Sequence, residues 1–269
     1  MEQANAGERP IKLAVSGLGK TFQTRGNPLV VLDDINLEIR AGEFFVIVGQ
    51  SGCGKTTFLR IVQGLDRATK GEIKLDGRPL AGPGPDRGFV FQHDSLFPWR
   101  TALRNVMFGP ELRGTPRAKA EKDAREIIKL VGLAGFENHY PFELSGGMRQ
   151  RVNLARAFAV HPDILLMDEP FAALDALTRE SMQQELVRIV AETGKTVLFI
   201  THQIDEAILL ADRIAVLSAR PGRVAKIIDV DLPKPRTLAL KRTPEFNAMV
   251  EEVWELIAGF EKGTAAAHG

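Results

Sequence analysis

Nine consecutive residues, Gly49-Gln50-Ser51-Gly52-Cys53-Gly54-Lys55-Thr56-Thr57, have the types and order needed to hold a polyphosphate. Glycines at 49, 52 and 54 let the backbone wrap closely around an anion and turn successive N–H groups inward. The apolar run Phe44 to Val48 before them reads as a buried strand, and Phe58 to Val62 after them reads as a helix. The start of that helix adds its positive dipole end to the same spot. Lys55 supplies a mobile cation for the outer phosphates, and the Thr56 hydroxyl can ligate Mg²⁺. Ser51 and Thr57 belong to the same cradle, and Cys53 contributes a small apolar side chain with no redox role. The pattern GxxxxGK[ST] also occurs by chance, but here strand, loop and helix flank it in the required order. The stretch predicts binding of a nucleoside triphosphate.

A second apolar run, Ile164 to Met167, ends in Asp168-Glu169. A buried strand that delivers two carboxylates at its C-terminal end suits metal and water chemistry. Asp168 is placed to hold Mg²⁺, and Glu169 to polarise a water attacking the γ-phosphate. Taken alone the pair is a weak signal, because acidic residues often cap strands. Leu144-Ser145-Gly146-Gly147-Met148-Arg149-Gln150 opens a helix with Ser145 as a natural N-cap. Its hydroxyl, the two glycines and the helix-start N–H groups could form a second anion site. An ordinary capped helix explains the same residues equally well.

The elements that must position these residues follow from periodicity. Ile11 to Val15, Val30 to Leu32, Ile35 to Ile39 and Glu72 to Leu75 read as strands, as does Phe89 to Phe91, with turns at Gly26 to Pro28 and Ala41 to Glu43. From Asp94 to about His161 the pattern is helical, with Ala120, Ala124, Ile127, Ile128 and Val131 at helical spacing and Gly132 as terminator. Strand-like runs return at Thr196 to Ile200, Ile214 to Leu217 and Val224 to Asp229. Strands alternating with helices imply an α/β protein with a largely parallel sheet. Helical residues interrupt that core, which spans about 11–93 and 162–230, with the insertion at about 94–161 and a helical tail at 231–269. In the tail, Phe246, Met249, Val250, Val253, Trp254 and Ile257 fall on one helical face, expected to pack on the chain's own core, with a partner-binding helix as the alternative.

Composition limits the function classes. Of 269 residues, 35 are Lys or Arg and 34 Asp or Glu, for a formal charge of +1. That balance argues against a protein that coats nucleic acid. No apolar run approaches the ~20 residues that cross a bilayer, and Met1 to Pro10 is charged and lacks the apolar stretch of a signal peptide. The single cysteine fits a reducing cytosol. Any membrane must therefore be reached through a partner.

Jointly, these motifs resemble the ATP-binding subunits of ABC transporters over nearly the whole chain. GQSGCGKTT looks like the family's Walker A, LSGGMRQR like its signature motif, and ILLMDEP like Walker B with its catalytic glutamate. Gln92 sits where the family has its Q-loop glutamine, Ala173-Leu174-Asp175 where it has the D-loop, and Thr201-His202 where it has the switch histidine. Phe22 lies where an aromatic residue stacks on adenine, a role that core packing rivals equally within the resemblance; by itself it reads as core. Outside the resemblance Gln92 is a solvated amide and His202 a strand-end histidine. Ala172 stands where Gly or Ser is frequent.

The resemblance implies a P-loop NTPase (RecA-like) core with an N-terminal antiparallel β subdomain and an inserted α-helical subdomain. It implies ATP and Mg²⁺ as ligands, with Thr56, Asp168 and Gln92 around the metal, and Glu169, His202 and Gln92 in hydrolysis. It implies two cassettes, expected to be copies of one chain, packed head-to-tail so that Ser145, Gly146 and Gly147 of one close on the ATP of the other. Membrane permease subunits, and indirectly a solute-binding protein, are the implied partners, with no nucleic acid. The implied place is the cytoplasmic face of the inner membrane, held peripherally. The bulky stretch His93 to Arg100 reads as a docking surface for the permease or as internal packing. Gly82 to Gly88, Leu96 to Trp99, Ser218 to Arg223 and Thr243 to Trp254 look like the importer branch for nitrate, sulfonate, taurine and similar anions. A soluble ABC-type ATPase acting on nucleic acid or in cofactor assembly is the alternative, and a binding-only ATP sensor is a third.

Overall fold

The computed structural model describes residues 9–92 and 95–266, with 261–266 by backbone alone. Residues 1–8, His93, Asp94 and 267–269 lie outside the described residues. Contacts divide the chain into two compact units, Met1–Gly84 with Lys195–Gly269, and Pro85–Gly194. Elements are numbered along the chain.

In the first unit β1 (Ile11–Phe22) lies antiparallel between β2 (Leu29–Arg40) and β4 (Lys70–Leu75), and β4 pairs with the short β5 (Arg78–Pro79). Alternation buries Leu13, Val15, Leu37 and Ile39 on one face of this sheet. The runs Val30 to Leu32 and Ile35 to Ile39 form one strand rather than the two expected. Asp33-Asp34 does not turn the chain. The register slips there, from Leu18 opposite Ile35 to Lys20 opposite Leu32, with Asp34 at φ 54°. A bulge of this kind absorbs the extra residue without ending the strand.

A second sheet places β3 (Phe44–Val48) parallel to both β8 (Thr196–Thr201) and β9 (Arg213–Leu217), with β10 (Val224–Asp229) antiparallel to β9. Every residue of β3 and β8 is buried, so neither run alternates. Helices α1 (Lys55–Gln63), α6 (Ile204–Leu210) and α7 (Pro244–Ala266) complete the unit.

The second unit contains the parallel pair β6 (Arg87–Val90) and β7 (Ile164–Asp168). Between them in sequence come α2 (Ala102–Leu112), α3 (Arg117–Leu130) and α4 (Gly146–Phe158), and α5 (Ala176–Thr193) follows β7. Ala120, Ala124 and Ile128 are the buried stripe of α3, and Gly132 beyond it has φ 69°. The architecture is α/β.

Helix α7 lies against α6 and β9 and buries Phe246 and Val253. Trp254, expected on the same face, is 56% exposed. Consecutive helical residues point about 100° apart, so the burial of Val253 does not extend to Trp254.

Candidate nucleotide site

Parallel pairing in the first unit brings three loops together. Val48 of β3 is level with Thr201 of β8 and Val216 of β9. Gly49, His202 and Ser218 therefore leave the sheet at the same end, the carboxyl end at which open α/β sheets bind ligands. His202 is exposed there, and the Thr201 hydroxyl accepts from the Gln203 N–H at 3.0 Å.

Residues 49–54 form the turn between β3 and α1. Gly54 occupies the N-cap position of α1 with φ 109° and offers no side-chain cap. A helix start without such a cap keeps N–H groups directed at whatever anion approaches. A Cβ on Gly54 would lie 2.7 Å from Leu32 Cδ2 and 3.2 Å from the Val31 carbonyl oxygen, so any other residue would strain the backbone and displace its neighbours. Lys55 is buried and curls back over the loop, its Nζ donating to the carbonyls of Gly49 (2.8 Å) and Gln50 (3.0 Å). Ser51, Gly52 and Thr56 are exposed, and Thr57 is half-buried. Cys53 differs from the rest of the expected cradle. Its side chain is buried, its N–H bonds to the Gln50 carbonyl at 3.3 Å, and burial pushes its thiol pKa up, which keeps it a protonated packing group.

Phe22 ends β1 opposite Leu29, on the strand that carries Leu32 to Gly54. Its ring is 37% exposed, and Lys20 Nζ stands 4.6 Å from the ring centroid. That ammonium is also bonded to Asp66 (2.6 Å) and the Arg67 carbonyl (2.7 Å).

Two contacts on the cradle have no local sequence signal. Arg220, from the loop after β9, donates through Nε (3.2 Å) and Nη2 (2.9 Å) to the Gly52 carbonyl. Gln50 Nε2 donates to the Ile257 carbonyl of α7 at 3.2 Å. Strand register places Arg220 beside the turn, and the packing of α7 against β9 and α6 places Ile257 there.

In the second unit Val90 pairs with Met167, so Gln92 and the Asp168-Glu169 pair leave β6 and β7 at one end. Gln92 is exposed, and both carboxylates are half-buried. Glu169 has φ 44°, a left-handed conformation rare outside glycine, and Pro170 follows it. Such backbone costs ~1–3 kcal/mol and persists only where the surroundings impose it. The Asp175 carboxylate caps α5, accepting the Thr178 N–H at 3.0 Å. The side-chain and backbone bonds of Thr178 hold its pKa below the usual carboxylate range. Ser145 caps α4 by accepting from Met148 N–H at 3.3 Å and is itself exposed. Gly147 presses on α5, where a Cβ would come 2.7 Å from Thr178 Cγ2, while Gly146 has room. The signature-like helix start and the Asp175 cap are thus packed together.

The expected docking cluster divides. Leu96 is buried, Phe97 is half-buried in an edge contact with Phe108 at 4.6 Å, and Trp99 is 71% exposed.

The ABC transporter family model matches residues 32–172. The chain belongs to the ABC transporter family. An uncharacterized ABC transporter ATP-binding protein of Methanocaldococcus jannaschii is 54% identical over 84% of this chain and 85% of its own length. The nitrate import ATP-binding protein of Synechocystis sp. is 45% identical over 93% of this chain and 96% of its own. The taurine import ATP-binding protein of Yersinia pestis bv. Antiqua is 46% identical over 90% and 95%. Among solved structures, a dimeric ATP-binding cassette in a post-hydrolysis state bound to ADP and Pi superposes with a TM-score of 0.70 at 36% identity, covering 82% of this chain and all of that one. The chain is an ATP-binding ABC ATPase with a P-loop NTPase fold. Among the described residues no helix is long and apolar enough to cross a membrane.

Proposed function

We propose that this ABC ATPase is the energy-coupling subunit of an importer for a small anion such as nitrate, a sulfonate or taurine. The observation that carries the ATP site is the uncapped, glycine-started helix α1, which leaves the sheet level with His202. Similarity to nitrate and taurine import relatives along nearly the whole chain supports the solute class.

Lys55 and N–H groups of the turn and helix start within 49–57, other than that of Cys53, hold the phosphates, and Phe22 stacks on the base. Thr56, Asp168 and Gln92 supply oxygens for Mg²⁺. Those donors are all hard oxygens, which suit that ion. Among the described residues no cluster of three or more His, Cys, Asp or Glu is preassembled; an ion held by one or two protein oxygens, phosphate and water needs none. When bound, Mg²⁺ neutralises charge on the transferred phosphoryl group. Glu169 orients or deprotonates the attacking water, and its fixed backbone limits where the carboxylate can reach. His202 contacts the γ-phosphate and steadies that geometry. Ser145 of the partner subunit, with Gly146 of the partner subunit and Gly147 of the partner subunit, closes the site from the other side. Asp175 sets the start of α5, on which the signature helix rests.

ATP thus acts as an adhesive between two cassettes, and hydrolysis removes it. Core residues 11–93 and 162–230 carry the nucleotide, and the helical stretch 94–161 carries the exposed Trp99 to the permease. A solute-binding protein delivers the anion outside, and this chain works at the cytoplasmic face of the membrane. Reconstitution with its permease and binding protein tests this: nitrate, taurine or another sulfonate should stimulate ATP hydrolysis. Recovery of nucleic acid and of no membrane protein with the purified chain would sink the importer reading in favour of a soluble ATPase.

A further inference from the structure

We propose that Arg220 is a positioning residue that holds the phosphate cradle in its binding-competent shape. The proposal rests on reading residues 49–57 as the ATP site. Gly52, with φ 77°, precedes the Gly52–Cys53 peptide, and glycine leaves the ψ side of that peptide free to turn at small cost. Rotation of the Gly52–Cys53 peptide would swing its carbonyl oxygen to the side where the Cys53 N–H now meets the Gln50 carbonyl, setting two oxygens against each other and distorting the turn. Both ends of that peptide are held. The Gly52 carbonyl accepts from Arg220 Nε at 3.2 Å and Nη2 at 2.9 Å, and the Cys53 N–H donates to the Gln50 carbonyl at 3.3 Å. The guanidinium also lies against the Gly52 α-carbon, 3.2 Å from where a Cβ would stand.

The loop that carries Arg220 is itself fastened. Gly222 N–H donates to the Val31 carbonyl (2.9 Å), and Asp33 N–H donates to the Gly222 carbonyl (3.0 Å). Arg223 pairs with Asp33 at 2.5 Å, and the Ser218 hydroxyl donates to the Pro221 carbonyl at 3.0 Å while accepting the Arg223 N–H at 3.0 Å. Gly222 is pressed so closely on the cradle that a Cβ would meet the Cys53 carbonyl oxygen at 2.3 Å. A fixed arm with a forked, permanently charged donor is suited to fixing one carbonyl. Arg220 touches no phosphate in this scheme. It raises the fraction of the chain that is competent to bind, and apparent affinity scales with that fraction.

Titration calorimetry with ATP and with ADP on the full chain, together with steady-state ATPase kinetics, tests this. R220A should weaken both nucleotides about tenfold and raise KM in parallel, with kcat at saturation changed less than about twofold. R220K, which restores one charged donor, should recover most of the loss. If R220A does not fold, R220Q carries the same expectation, since it removes the fork and the charge. Native-like affinity in R220A or R220Q, or a fall in kcat at unchanged KM, overturns the proposal. So does a lowered melting temperature with unchanged nucleotide affinity, the signature of a purely structural contact. K55A, measured alongside, separates the two levels: if K55A binds ATP like the native chain, the cradle reading itself has failed.

Discussion

Replacing Asn105 by Ala tests whether one buried amide holds the surface loop at 97–101 from beneath. Asn105 is 0% exposed. Its Oδ1 accepts the Phe97 N–H at 2.8 Å, and its Nδ2 lies 3.2, 2.9 and 3.1 Å from the carbonyls of Phe97, Arg100 and Thr101. Three acceptors share the two amide hydrogens. Two of them keep another partner, because Phe97 O also accepts Arg100 N–H (3.0 Å) and Thr101 O accepts the Asn105 backbone N–H (2.8 Å). The Phe97 N–H and the Arg100 carbonyl are the groups most affected. At ~1–3 kcal/mol for each buried group left unpaired, discounted because Phe97 is half-buried, the loss comes to ~3 kcal/mol. The assay is urea unfolding followed by tryptophan fluorescence in a W254F background, where Trp99 is the only tryptophan left. With a slope of ~3 kcal/mol/M, the midpoint of the Trp99 transition should fall by about 1 M. N105D keeps the acceptor but turns a second oxygen toward the carbonyls, and should lose at least as much. A loss below ~0.5 kcal/mol in N105A would refute the reasoning, since surface substitutions away from such features give no more.

Other expectations follow from the same geometry. Gly54→Ala faces both a φ of 109° and a 2.7 Å approach to Leu32 Cδ2, so ATP binding should weaken by at least about 30-fold, corresponding to ~2 kcal/mol of strain; calorimetric affinity near native would show that the turn relaxes freely. The Asp33 carboxyl is held below its ordinary value of 3.8, first by its bond to Lys70 and then by that to Arg223. Its folded pKa lies below its unfolded one, so its contribution is present above the unfolded pKa and is lost as pH falls through the folded value. D33N should therefore flatten the fall of melting temperature below about pH 4, and equal slopes in the two proteins would contradict this.

Much of the molecule was legible because its chemistry is local. The turn at 49–54 favours glycine where φ is 77° or 109°, a conformation that strains other residue types, so its glycines mark it in the sequence. Strands β3, β7 and β8 announce themselves as apolar runs because both faces are covered. Ser145 reads as a cap residue at a helix start and does cap, whereas the cap that Asp175 supplies emerges only from the fold. What stayed hidden depends on register and long-range packing. Arg220 reaches Gly52 across 168 positions, and nothing in the residues around either one signals it. Asn105 reads as an ordinary helix residue until the loop folds over it. The Asp33-Asp34 pair resembles a turn, and becomes a bulge only because β1 supplies the shifted partners. Trp254 fits the helical pattern of the tail and still faces outward, since periodicity fixes a side of the helix and not how far the core extends around it.

Sedimentation velocity of Glu169→Gln, with and without Mg-ATP, tests most directly whether two copies close on ATP and separate when it is hydrolysed. The account expects a monomer without nucleotide or with ADP, a dimer with Mg-ATP, and hydrolysis slowed at least ~100-fold, as for loss of a general base. A variant that stays monomeric at saturating ATP, or turns over at the native rate, would contradict it.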